Sequence, residues 1–180
     1  MSKSKPLPSQ TYLLECFDYN PETGVLVWKH RPLRHFKNTR GMNIWNSRYP
    51  SKVAGTLVTG RLGLAINNTR FMGHRVIWKL MTGKNPPHEI DHINRITSDN
   101  RWCNLRLATP SQNQHNRPLQ RNNTTGFKGV YFHSQNKNYV ARIMTEWKTV
   151  SLGSFDTAEQ ASEAYQAASL KYHKDFSNGV

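Results

Sequence analysis

Acidic side chains are scarce in this chain. Its 180 residues hold 25 Lys and Arg against 11 Asp and Glu, a formal net charge of +14. That imbalance exceeds what solubility requires and argues for a polyanionic partner, nucleic acid first. The excess is not a tail. Residues 1–70 carry 11 basic against 3 acidic groups (+8), residues 71–120 carry 7 against 3 (+4), and residues 121–180 carry 7 against 5 (+2). Cysteine is nearly missing too. Cys16 and Cys103 form no CxxC pair and no disulfide framework. A reducing, cytoplasmic setting fits, and a four-ligand zinc site is not expected, since two lone cysteines would both need histidine partners at zinc spacing. No apolar run approaches the roughly 18 residues of a membrane span. The opening MSKSKPLPSQ is polar and proline-broken, so it is not expected to direct secretion. With 36% hydrophobic residues any core is modest. The length allows one domain or two small ones.

Along the chain, residues 1–9 read as a disordered lead. Residues 10–18 (QTYLLECFD) read as a short helix, Tyr19 to Gly24 as a turn, and Val25 to Trp28 as the strand of a hairpin arm. Residues 29–52 show neither helical nor strand period. They hold nine basic side chains, counting His30 and His35, interleaved with Phe36, Trp45 and Tyr49. Such a mixture neutralises phosphates and stacks on bases, so Arg31, Arg34, Lys37, Arg40 and Arg48 are expected to contact DNA. Short strands follow over 53–72, with a turn at Asn67-Asn68. The run MGHRVIWKLM from Met72 to Met81 is helical, closed by Gly83. His74, at its start, is expected to support a neighbouring site and not to bind metal.

The stretch from His88 to Arg117 carries the chemistry. A carboxylate (Asp91) and carboxamides suit a hard divalent cation, which prefers oxygen ligands. The adjacent His92 can take a proton from water near neutral pH, and an asparagine can hold its ring without titrating. Glu89 to Ile93 alternates as a strand. Ile90 and His92 then face one way and Asp91 the other, so a bend or bulge is needed to aim both at one phosphate. Asn94 to Asn100 is a loop, and Leu105 and Leu107 mark a second short strand. Thr109, Pro110 and Gln112 open a helix by a capping box. On its wheel Asn113 shares a face with Asn116 and Arg117, while His115 points about 200° away. Asn113 is therefore the expected second metal ligand. Strand, loop, strand and helix around one cation make a ββα-metal module.

After a polar linker at 118–125 the character changes. Lys128 to His133, Tyr139 to Met144 and Lys148 to Leu152 read as three strands, and Asp156-Thr157 caps a helix to about Lys174 with an alanine-rich apolar stripe. Basic Lys128, Arg142 and Lys148 lie on the strands and acidic Glu159 and Glu163 on the helix. The sheet is thus expected to meet DNA.

The residues Asp91-His92-Ile93-Asn94, Asn100-Arg101 and Asn104-Leu105-Arg106, with Asn113, resemble the HNH endonucleases of phages and introns. Residues Phe17 to Trp28 and His74-Arg75 with Trp78 and Thr82-Gly83 resemble the same nucleases. The segment from Gly126 to Phe176 resembles an AP2 DNA-binding domain, through Gly129-Val130-Tyr131, Val140-Ala141-Arg142-Ile143 and Leu152 to Thr157. The resemblance implies an α+β chain: a basic region with hairpin strands over 10–70, a small ββα-metal (HNH, His-Me finger) module over 71–117, and a three-stranded antiparallel sheet plus helix over 126–176. It implies Asp91 and Asn113 as metal ligands, His92 as general base and Asn104 as the residue orienting His92. Asn100, Arg106 and His74 take supporting positions. Lys128, Tyr131, Arg142 and Lys148 fall where an AP2 sheet enters the major groove. The expected cofactor is Mg²⁺, with Mn²⁺ as the alternative and no small-molecule cofactor. The expected substrate is double-stranded DNA, cut at a specific site as by a homing enzyme, in the host cytoplasm if phage-encoded. One such module cuts one strand per visit, so a double-strand break requires a homodimer or two events. The competing reading is a DNA-binding regulator with a decayed HNH fold. A third is an RNA-binding protein.

Overall fold

The computed structural model describes residues 6–145 and 148–177. The chain divides into two compact units, Met1–Leu107 and Ala108–Val180.

In the first unit, α1 (Gln10–Cys16) starts at Ser9, whose hydroxyl accepts from the Tyr12 amide. The sequence suggests helix to residue 18, but the helix stops two residues earlier. Phe17 is buried and pairs across the hairpin with Trp28, so tertiary pairing overrides local propensity. The hairpin is β1 (Phe17–Tyr19) against β2 (Leu26–Trp28). Residues 29–52 have more order than their pattern suggests, for α2 (Thr39–Asn46) is capped by the Asn38 side chain on the Gly41 amide. A meander of β3 (Thr56–Val58), β4 (Arg61–Ile66) and β5 (Thr69–Met72) follows. It turns at Asn67-Asn68, both at positive φ, as expected of Asn-Asn. Then α3 (Gly73–Thr82) lays Val76, Ile77 and Leu80 into the core and ends on left-handed Gly83. The last two strands, β6 (Glu89–His92) and β7 (Leu105–Ala108), form their own sheet. Ile90 and Leu105 join Leu13, Leu26, Leu64 and Ile77 in one apolar cluster, which anchors the β6–β7 sheet.

The second unit begins with α4 (Pro110–His115). Its Thr109–Gln112 capping box is the one read from sequence. Asn123 accepts from the Thr125 and Gly126 amides and donates to the Phe127 carbonyl, so the expected linker is a built turn. Three antiparallel strands follow in the order β10-β9-β8: β8 (Val130–His133), β9 (Asn138–Thr145) and β10 (Lys148–Phe155). One sheet face is covered by α5 (Ala158–His173), where Ala161, Tyr165 and Ala168 meet Val130, Ala141 and Ile143. Gly129 (φ 71°) makes this possible, since a Cβ there would lie 2.2 Å from the Tyr165 ring. The alternation along β9 leaves Arg142 and Met144 exposed on the other face. Among the described residues no helix is long and apolar enough to cross a membrane.

Candidate active site

Strand β6 does not present alternate faces to core and solvent. Ile90, Asp91 and His92 are all buried, because one side of the strand meets the apolar cluster and the other is closed by polar partners. Asp91 is 6% exposed, and its Oδ2 accepts from Nε (2.9 Å) and Nη2 (2.8 Å) of Arg106 on the neighbouring β7. His92 faces His74 of α3, the two rings edge to face with centroids 5.4 Å apart. The carboxylate and the imidazole are thus consecutive on one buried strand.

The His92 ring is held by Asn100. Nε2 lies 3.3 Å from Asn100 Oδ1, while Asn100 Nδ2 donates to the Ser98 carbonyl (3.2 Å). The amide orientation makes His92 Nε2 the protonated nitrogen and Nδ1 the basic one. Burial lowers the His92 pKa from 6.5, against the opposing pull of Asn100 and Asp91. The neutral ring, which can act as a base, therefore persists into mildly acidic solution.

Asn104, the residue the resemblance assigns to orienting His92, makes its described hydrogen bonds to the residues that follow that histidine. Its carbonyl accepts from the Ile93 amide (2.9 Å), and its Oδ1 accepts from the Asn94 amide (2.9 Å). Its Nδ2 donates to Asn94 Oδ1 (2.9 Å) and the Asp99 carbonyl (2.8 Å). Asn104 thus folds the 94–99 loop back over the strand end, and Asn100, read only as a supporting position, takes the ring.

A second buttress has no counterpart in the sequence reading. Tyr19 donates its hydroxyl to the Asn100 carbonyl (2.8 Å), and the Trp102 amide donates to the Pro21 carbonyl (2.9 Å). The turn between β1 and β2 presses on Asn100-Arg101 so closely that a Cβ on Gly24 would lie 2.5 Å from the Arg101 nitrogen. Gly24 is also left-handed (φ 74°). Gly24→Ala should therefore displace Asn100 and loosen His92, with a stability loss on the order of 1–3 kcal/mol from backbone strain. Chemical denaturation and the His92 ring resonances in NMR check this, and unchanged ring shifts would refute the buttress.

His74 behaves as a supporting histidine. Burial, followed by His92, Arg61 and Arg75, pushes its pKa down to about 3. The folded chain then binds fewer protons here than the unfolded chain, whose value stays near 6.5. This contribution to stability is complete above pH 6.5 and declines as pH falls, by about 1.4 kcal/mol per pH unit from this one group. Thermal unfolding at pH 7.5 and at pH 5 reads the loss, and His74→Gln should flatten the slope.

The donor set suits a divalent cation: one buried carboxylate beside neutral imidazoles. Among the described residues no group of three or more His, Cys, Asp or Glu gathers as a ligand cage. Asn113 lies on α4 of the second unit. His115, set aside from sequence, stacks on His173 with centroids 3.6 Å apart, and burial lowers its pKa to about 4.

Several expected DNA contacts are corrected. Arg31 is buried among Tyr12, Phe36 and Trp45 and does not lie on the open surface. Lys128 donates to the His115 and Arg117 carbonyls, holding the end of α4. Tyr131 is half-buried, its hydroxyl without a partner and its ring under Arg142 (4.8 Å). Lys37, Arg40, Arg48, Arg142 and Lys148 are exposed, and Arg34 pairs with Glu15 at the surface.

The chain is 34% identical over 105 residues to an uncharacterized HNH endonuclease, L560, of Acanthamoeba polyphaga mimivirus, covering 57% of this chain and 54% of that protein. It thus spans about half that relative's length. It is 29% identical over 94 residues to Protein 3.8 of Escherichia phage T7, covering 52% of this chain and 78% of that protein. No solved structure matches the chain. Residues 72–115, the stretch that supplies His74, Asp91, His92, Asn100, Asn104, Arg106 and Asn113, match the HNH endonuclease family.

Proposed function

We propose that the chain is a metal-dependent DNA endonuclease that hydrolyses one phosphodiester per catalytic visit, with His92 as general base. The observation that carries this is a buried imidazole held by Asn100 and next in sequence to a buried carboxylate on β6. His92 Nδ1 takes a proton from the attacking water, and Asn100 keeps Nε2 protonated and the ring aimed. Asn104 and the Tyr19–Gly24 turn hold the loop that carries Asn100. Arg106 orients Asp91. Asp91 would hold one divalent cation, Mg²⁺ first. When bound, that cation stabilises the negative charge that builds on the scissile phosphate.

The second unit is proposed to bind duplex DNA as an AP2 domain does, through the sheet face that α5 leaves uncovered. The exposed Arg142 and Lys148 on that sheet support it, and so does the acidic Glu159 and Glu163 on the helix. Site-specific, homing-type cleavage would follow from such a module. Incubating the purified chain with supercoiled plasmid tests the reading. Nicked circles should form with Mg²⁺ and not with EDTA, and plasmid left intact under both conditions would sink it.

A further inference from the structure

Residues 29–70 contain a concavity that the nuclease chemistry does not use. Arg31 is 6% exposed, yet no carboxylate among the described residues pairs with it. Its Nε donates to His35 Nδ1 (3.1 Å), and its Nη2 donates to Asn67 Oδ1 (3.2 Å) and to the Tyr12 hydroxyl. Nη1 donates to no group among the described residues. His35 in turn gives Nε2–H to Glu15 (2.7 Å). A neutral imidazole therefore separates the guanidinium from that carboxylate. Aromatic faces surround the cation, with Phe36 and Trp45 at 5.0 and 4.9 Å from Cζ. Burying a cation without a counter-ion is costly, so such a charge is expected where an anion arrives from outside.

An opening for that anion is present. A cavity of about 630 Å³ is lined by Arg31, Trp28, Trp45 and Tyr49, with Lys52 and Arg70 exposed among its lining residues. Its volume is that of a small-ligand site. Trp45 lies tilted against Tyr49 at 5.0 Å and meets Trp28 edge-on at 5.1 Å, giving one continuous aromatic wall. No Asp or Glu lines it. Aromatic faces beside fixed and mobile cations suit a planar base with its phosphate.

We propose that this cavity receives one unpaired nucleotide of a nucleic-acid strand, its base against the Trp45–Tyr49 wall and its phosphate toward Arg31, Lys52 and Arg70. A strand is favoured over a free nucleotide because the same unit exposes Lys37, Arg40 and Arg48, more cations than one phosphate can use. The proposal rests on the nucleic-acid reading of the chain, not on cleavage.

The test titrates the full chain in EDTA, following tryptophan emission, with a short oligothymidylate, a duplex of equal length and thymidine monophosphate. The single strand should quench the emission and bind best. Tyr49 is 42% exposed and Lys52 and Arg70 lie at the surface, so their replacement leaves the core intact, which circular dichroism confirms. Tyr49→Ala should weaken single-strand binding about tenfold, the scale of one lost stacking contact. Lys52→Ala with Arg70→Ala should lower the slope of log Kd against log salt by about 1.4, or ~0.7 per phosphate contact. Unchanged affinity and slope in these variants overturn the site. Equal binding of the monophosphate overturns the strand assignment, and a duplex that binds as well and is equally sensitive to Tyr49→Ala overturns the unpaired nucleotide. Loss of plasmid cleavage with normal oligonucleotide binding counts against the nuclease alone.

Discussion

His92→Ala should lower plasmid nicking by about 10²–10⁴-fold, the usual scale for a general base. The loss should fall on the rate and not on DNA affinity, because the ring is buried against Asn100 and its task is to take a proton. Gel-based single-turnover cleavage at saturating enzyme separates the two, and a binding titration in EDTA supplies the affinity. The expected outcome is a slow enzyme that binds normally. Wild-type and variant rates within a factor of a few would remove His92 from the chemistry. Asn100→Ala should fall between the two, since it frees the ring without deleting it.

Asp91→Ala should damage fold and chemistry together. The carboxylate is buried and receives two hydrogen bonds from Arg106, itself largely enclosed. Removing one partner of a buried pair costs about 3–5 kcal/mol, largely because the other charge has already been taken out of water. At about 2–4 °C per kcal/mol for a chain of this size, the melting temperature should fall on the order of 10 °C. Asp91→Asn separates the two roles. Its amide oxygen still accepts from Arg106, so much of the stability should return. Its lost charge should leave Mn²⁺ affinity, read by calorimetry, as poor as in the alanine variant. A stable Asp91→Asn protein that binds Mn²⁺ like wild type would exclude Asp91 as a metal ligand.

Much of this site is legible in the chain because its signals are local. The Thr109–Gln112 capping box, the Gly83 helix stop and the Asn67-Asn68 turn each depend on a few consecutive residues, and each occurs where the pattern puts it. The three C-terminal strands and their alanine-striped helix follow from periodicity alone. Misread elements involve partners far along the chain. Phe17 leaves the helix for Trp28 across the hairpin. Arg31 looks like every other arginine of its basic segment, and it is buried because Tyr12 and Asn67, from either side in sequence, close around it. Lys128 reads as a strand cation, but two carbonyls of the preceding segment claim its ammonium.

By itself, then, the order of residues determined which chemistry is present: an oxygen donor next to an imidazole, amides nearby, and cations throughout. Residue type and spacing suffice for that, since charge and hydrogen-bonding capacity travel with the side chain. Only the tertiary structure decided which amide holds the ring, which cations remain in water, and that the Tyr19–Gly24 turn braces Asn100 from about 80 positions away. Those choices depend on which surfaces meet in three dimensions, and burial sets both the pKa of His92 and the price of leaving Arg31 without a counter-ion.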